Sequence, residues 1–530
     1  MPRPSIRAIA AGGVLLAFLI LYSYTAAPGI LYGDSGELQA AALTAGIPHA
    51  TGYPTFVLLG GLFGRLGFAS PAYCVNWMSA FFGAATGALL VVLMGELGIG
   101  VAASVAAACM FGLAFSPWRT SLRAEVYTLA NAFAVLAGWR TWAAHRSGRP
   151  VDALLAGVLL GLTLTGHMIF APLVAVLGVS LVMLVWRRDP HPIPSLLLLL
   201  GSFLLGVSPY LFLVIADVRH PAINYYDMVR IVQNPFGRPM PDFDTPWKRL
   251  GWMIAGRNSY PPAPMAIQWR AMLIRPLEAG FDVFVFELGP IALLLAWLGW
   301  RRHVRLDPGS ARVLALGLIA SSAFAILLAG NPMLELFLLP VLLIVTFWVG
   351  SGLQVVQPMA AGRGRGVLIG AAVAAVAVVA ITANALREYA EVHPFTRWKF
   401  RVVEEDPSLR AGWLPSMRSF DEPERYGRSA IERIPRGALV IAGWSELNVL
   451  RYLQAVEGRR TDLALEQTSA FSLPDRMRLW QRAHDVSRQP FVFTEWVPEM
   501  AKYYAIAETL DVIPGHRLYV QRTPIADPGR

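Results

Sequence analysis

Lysine, cysteine and charge are all scarce in this chain. Cys74 and Cys109 are its two cysteines, which excludes a disulfide framework and a cysteine-rich metal site on count alone. Both lie inside apolar runs and read as small buried residues. Its lysines are Lys248, Lys399 and Lys502, so basic character rests on arginine, a bias typical of GC-rich bacterial genomes. Charged residues make up 15% of the sequence, against about a quarter in a soluble globular protein. No Gly-x-Ser-x-Gly, P-loop or dinucleotide fingerprint precedes a suitable helix, which argues against serine-hydrolase and nucleotide-hydrolysing chemistry. No His-Glu-x-x-His or other tight ligand spacing occurs. The net charge of +10 forms no basic stripe, so nucleic acid is not expected as a partner.

What is present is apolar sequence in long runs. Each approaches the roughly 20 residues that a helix needs to cross a bilayer. The spans fall near 8–27, 72–95, 101–116, 125–142, 151–166, 169–186, 194–216, 281–300, 312–330, 335–356 and 366–385. The reading is a polytopic α-helical membrane protein with about eleven transmembrane helices. Residues 151–186 are counted as two spans, broken at Gly166-His167 and Pro172. The first run has no convincing cleavage site and reads as an uncleaved helix. Arg3 and Arg7 precede it, and arginines cluster at 140–149, 187–188, 301–312 and 363–365. By the positive-inside rule this parity puts the N-terminus in the cytoplasm and the C-terminus outside.

A transmembrane domain over 1–385 is therefore expected, with outer loops at 28–71 and 217–280. Ser35–Ala45 reads as a short helix closed by Gly46, and Leu58–Leu66 as an interfacial segment. Residues 386–530 have soluble composition and read as a small α/β domain on the outer face. Strands are expected at 437–443, 462–465 and 491–496, with helices at 445–457 and 473–488.

Ionisable residues at span ends are costly in lipid and call for a reason. Topology collects Asp34, Glu37, His49, Glu125, His167, Asp217, Arg219, His220 and Glu335 on the outer side. Asp34 and Glu37 stand at i and i+3 and share a helix face. One carboxylate there can serve as a general base while the other orients a substrate or cation. The same spacing is a capping box, with Asp34 at the N-cap, and the local pattern favours that reading. Glu125 alone reads as a partner of Arg123 or Arg119, and His49 and His167 as ordinary satisfied histidines.

The stretches GDSGELQAAALTAGIPHATGYPTF, PAYCVNWMSAFFGA, AEVYTL, GLTLTGHM, YLFLVIADVRHPAINYYD, WMIAGRNSY and ELFLLP, with IPRGALVIAGWSELNVLRYLQAVEGRRTDLAL in the tail, resemble over most of the chain a family long filed as a domain of unknown function, of the transmembrane protein 260 type. Its animal relatives are protein O-mannosyltransferases. The resemblance implies a C-type glycosyltransferase fold. Such enzymes move a sugar, here mannose or a similar hexose, from a polyprenyl-phosphate carrier to a protein or glycan hydroxyl at the outer face of the bilayer. The family's acid and Gly-Glu fall on Asp34, Gly36 and Glu37, and its later His, Gly and Pro on His49, Gly52 and Pro54. Gly33 stands where an aromatic residue is common, and Ala50-Thr51 where Pro-Pro is common. Both changes bear on donor or acceptor specificity. The resemblance implies Asp34 and Glu37 as catalytic residues. Substrate-binding residues would be His49, Tyr53, Arg123, Glu125, His167, Arg219 and Tyr260, with Tyr225 and Trp252 as further aromatic faces for the sugar. No cofactor is called for, a divalent cation staying open. The bacterial plasma membrane is the expected location. A lipid or sugar transporter or flippase is the competing reading, although no internal repeat supports it, and a non-catalytic assembly protein is a third.

Overall fold

The computed structural model describes residues 5–233, 240–256, 274, 276–277, 279–328, 334–356, 415–467, 490–496, 506 and 508–521. It divides into two compact units: Met1–Ala26, Trp77–Pro209 and Pro262–Met417 form one, and Ala27–Asn76, Tyr210–Pro261 and Arg418–Arg530 the other.

The apolar runs fold as helices because their backbone groups must bond within the segment in lipid. Ile6–Thr25, Pro71–Glu96, Met168–Arg188, Pro308–Leu327 and Leu339–Val356 are each long and apolar enough to cross. Pro192–Val207 with Tyr210–Val218, and Ala279–Val285 with Pro290–Leu306, qualify as broken pairs. Val101–Leu113 and Pro150–Gly166 are apolar but shorter. Tyr127–Ser147 has the length, but its last turns carry Arg140, His145 and Arg146. The stretch 366–385 lies outside the described residues, as does the helix expected at 473–488. The chain is a multi-pass membrane protein.

Several buried polar groups inside the first unit are paired, as burial in an apolar setting favours. Tyr22 donates its hydroxyl to the Gly112 carbonyl at 2.6 Å. The Trp348 indole N–H donates to His303 Nδ1 at 3.2 Å. The Glu287 carboxylate accepts from the Ser116 backbone N–H at 2.9 Å and from its hydroxyl at 2.7 Å.

The second unit holds a five-stranded sheet in the order β2-β1-β3-β5-β4. Its strands are β1 (Leu439–Ala442), β2 (Ala464–Gln467), β3 (Phe491–Phe493), β4 (Glu508–Ile513) and β5 (His516–Gln521). β1 runs parallel to β2 and β3, and β5 pairs antiparallel with β3 and β4. All four residues of β1 are buried, as suits a central parallel strand covered on both faces. The helices Glu422–Arg433 and Trp444–Ala455 bury Tyr426, Ala430 and Ile431, and Leu447, Leu450 and Leu453. Ile30, Ala40, Ala41, Val57 and Ile223 belong to that same hydrophobic core. The first polar loop thus shares a core with the C-terminal α/β domain.

Candidate active site

The Asp-x-x-Glu pair does not form the capping box that its spacing suggests. The helix spans Gly33–Thr44, its N-cap is Tyr32, and no side chain caps it. Both acids are engaged elsewhere: Asp34 Oδ1 accepts from the Trp444 indole N–H at 2.7 Å, and Glu37 turns inward to His49. Gly36 is required between them, because a Cβ there would overlap the Leu31 carbonyl oxygen. The helix closes on Ala45, in the left-handed region at φ 52°, and Gly46 follows it. The chain then turns back through His49–Tyr53, where the Gly52 N–H donates to the His49 carbonyl at 2.7 Å. Gly52 takes φ +82° and lies against Leu213, a conformation that a side chain disfavours. Pro54 opens the next helix, Pro54–Phe63, as a first-turn proline readily does.

That turn seats His49 between the two acids. Glu37 is 3% exposed. Its Oε1 accepts from the His49 backbone N–H at 3.0 Å, and its Oε2 lies 2.5 Å from Nδ1. On the other side of the ring, Nε2 is 3.2 Å from the Tyr53 hydroxyl and 3.9 Å from Asp34 Oδ2. Tyr53 has one hydroxyl hydrogen, and its shorter contact, 2.8 Å, is to the Ala50 carbonyl. With that hydrogen on Ala50, Nε2 presents its own hydrogen to Tyr53 and Asp34. With Glu37 ionised, Nδ1 carries one as well, giving an imidazolium between two carboxylates. Burial pushes the Glu37 carboxyl above the usual glutamate value, and the charge and hydrogen bonds of His49 pull it part of the way back.

Aromatic rings surround His49. Tyr53, Tyr225 and Trp444 have centroids 5.1, 6.3 and 6.4 Å from its ring, all edge-on, and Trp252 lies 6.4 Å beyond Tyr225. A buried pair fixes this region: Arg249 Nε donates to Asp217 Oδ2 at 2.7 Å, and Arg249 NH1 to the Phe243 carbonyl at 2.6 Å. The helix Trp444–Ala455 supplies residues that sequence reasoning missed. Asn448 donates to the Gly33 carbonyl at 3.1 Å. Arg451, half-buried, reaches Met228 Sδ at 3.9 Å. Burial lowers the Arg451 pKa, an effect that Glu466 and Glu37 oppose. A signal for Trp444 was present, since ligands favour the C-terminal ends of parallel strands and Trp444 begins the helix that follows β1.

Several of the other residues expected at the site have partners of their own. In the first unit, Arg123 Nε pairs with Glu125 Oε1 at 3.1 Å, the partnership expected of Glu125. Ser79 adds hydrogen bonds to the Glu125 backbone, accepting from its N–H at 3.1 Å and donating to its carbonyl at 3.2 Å. His167 accepts from the Ile169 N–H through Nδ1 at 3.1 Å and stacks on Tyr127 with centroids 4.8 Å apart, so its side chain caps the turn Met168–Phe170. In the second unit, Arg219 is exposed, one residue past Tyr210–Val218. Tyr260 lies outside the described residues. Among the described residues, no three of His, Cys, Asp and Glu are grouped to hold a metal ion. Asp34 and Glu37 each face His49.

Residues 34–191 match the family model described as Protein O-mannosyl-transferase TMEM260 N-terminal domain. Protein O-mannosyl-transferase TMEM260 of Mus musculus is 32% identical over 191 residues, 35% of this chain and 27% of that protein. The tmem260 protein of Dictyostelium discoideum is 27% identical over 228 residues, covering 38% of this chain and 27% of that one. The chain thus spans 27% of the length of these curated relatives. Among solved structures, ArnT from Cupriavidus metallidurans in the apo state matches with a TM-score of 0.52 at 12% identity, over 97% of this chain and 98% of that one. ArnT bound to undecaprenyl phosphate gives 0.50, also at 12% identity, over 98% of both chains. The resemblance drawn from the first-loop motif holds, and the C-type glycosyltransferase fold that it implied is the fold observed.

Proposed function

We propose that the chain is an inverting membrane glycosyltransferase, moving mannose or a similar hexose from a polyprenyl-phosphate carrier to a protein or glycan hydroxyl. The observation that carries this reading is His49 bracketed by Asp34 and Glu37, within the stretch matched to the O-mannosyl-transferase family. Asp34 is the acid that can meet a substrate, its side chain being about half exposed (48%). Trp444 hydrogen-bonds Oδ1, and Oδ2 faces His49 Nε2 at 3.9 Å, beyond hydrogen-bond length. As the acceptor oxygen attacks the anomeric carbon, Oδ2 takes its proton. The bond from that carbon to the phosphate oxygen breaks, and polyprenyl phosphate leaves with the electron pair. Glu37 acts differently, by holding His49 so that its positive charge faces Asp34. Arg451 offers N–H groups to the leaving phosphate, and Tyr225 and Trp252 offer aromatic faces to the sugar. The arginine parity of the loops supports a bacterial plasma-membrane protein with its C-terminal domain outside.

The test is transfer by the full chain in proteoliposomes, from labelled polyprenyl-phosphate mannose to a serine- and threonine-bearing peptide, with and without a chelator. Asp34→Asn keeps an oxygen to accept from Trp444 but loses the base, so turnover should fall about 10²- to 10⁴-fold. Wild-type turnover in that variant would remove Asp34 from the role. Lipid-linked sugar crossing the bilayer without any glycosyl product would replace transfer by flipping.

A further inference from the structure

We infer that Trp444 is a positioning residue of the transfer reaction, by which the C-terminal α/β domain fixes the Asp34 carboxylate with Oδ2 presented to the acceptor. The inference rests on the transferase reading above. Asp34 is half exposed, and an exposed carboxylate samples several staggered rotamers. The Trp444 hydrogen bond selects one of them, with Oδ1 on the indole and Oδ2 facing His49 at 3.9 Å.

Trp444 is itself held independently of Asp34. The preceding Gly443 N–H donates to Thr494 Oγ1 at 3.1 Å, which anchors the turn out of β1. One helical turn on, Asn448 is 1% exposed and bonds the Gly33 carbonyl at the start of the acid helix. One turn further, Arg451 reaches Met228. Residues 444, 448 and 451 form one face at i, i+4 and i+7: Trp444 and Asn448 meet the first turn of Gly33–Thr44 and Arg451 meets Met228, so Trp444 arrives at Asp34 already oriented. A carboxylate oriented before the acceptor binds saves that ordering in the transition state.

The experiment compares Trp444→Phe, which keeps an aromatic ring but loses the N–H, with wild type in the same proteoliposomes. Turnover should fall about ten-fold while the donor KM stays within about two-fold and thermal stability is kept. Unchanged turnover in Trp444→Phe overturns the inference. So does a joint loss of stability and donor affinity, the signature of a merely structural contact. The pairing is also read without catalysis, by carbodiimide labelling of Asp34 followed by mass spectrometry. Several-fold faster labelling in Trp444→Phe supports orientation by the indole, and equal labelling overturns it. If the wild-type chain transfers no sugar, the transferase reading falls alone and the labelling still decides the pairing.

Discussion

Glu37→Gln exchanges one oxygen for NH₂ in a side chain that is 3% exposed, and the surrounding hydrogen bonds dictate the result. The amide oxygen can keep the His49 backbone N–H, now at 3.0 Å. The NH₂ then meets Nδ1, which must offer a lone pair and leaves the ring's hydrogen on Nε2. An imidazolium can then no longer form between the acids. A hydrogen bond involving a charged group is worth about 1.5–3 kcal/mol. Against that, burial already disfavours the Glu37 carboxylate, and removing a buried charge recovers a penalty of several kcal/mol. The two nearly cancel, so the melting temperature should move by only a few degrees. Turnover should respond more clearly. The attraction between a charged His49 and half-exposed Asp34 is worth at most about 1 kcal/mol after screening, so losing it changes the rate by no more than about five-fold. Glu37→Ala strands both His49 donors and opens a cavity, at a cost of about 3–5 kcal/mol. Differential scanning and steady-state transfer on both variants are the assay. Full turnover in Glu37→Gln would show that the charge on His49 is not used. A loss of stability in Glu37→Gln equal to that of Glu37→Ala would refute the desolvation argument.

Because the Glu37 carboxyl titrates above its unfolded value, the folded chain binds more protons in the window that starts near 4.5 and extends upward. Acidification through that window should therefore stabilise wild type relative to Glu37→Gln, and the advantage should vanish as pH rises through it, read as the difference in melting temperature. Gly36→Ala should shift the acid helix off the Leu31 carbonyl, cost about 1–3 kcal/mol, and reduce transfer. Retained stability and rate would mean that this close approach is not fixed. Arg249→Met leaves Asp217 as an unpaired buried charge and should cost about 3–5 kcal/mol. The double variant with Asp217→Leu should recover much of that loss, measured by thermal unfolding.

Hydropathy made the helices from 8 to 356 legible, since an apolar run in lipid has few alternatives to a helix. The α/β tail was legible in part: LVIA and FVF are β1 and β3, and the helix after β1 lies within two residues of its expected place. The closing hairpin of β4 and β5 went unread although Pro514-Gly515 marks its turn, because β4 alternates weakly between half-buried and exposed positions. Asp34, Glu37 and His49 were nameable from the first-loop motif, but their arrangement was not. A capping box is a local pattern, and it lost to tertiary partners: Trp444 for Asp34 and the returning turn for Glu37. The pairing of Asp34 with a residue 410 positions away has no local trace in the sequence.

That separation also bears on synthesis. A ribosome working at about 5–20 residues per second makes Trp444 roughly 20–80 s after Asp34. Over that interval the acid helix lacks Asn448 on its first turn, Trp444 on its carboxylate, and the C-terminal half of the core that Ala40 and Ala41 join. A nascent chain, or one cut short before 444, carries both acids without the contacts that orient them. Until the helix that carries Trp444 has been made, the acid helix therefore lacks the oriented carboxylate that the proposed transfer requires.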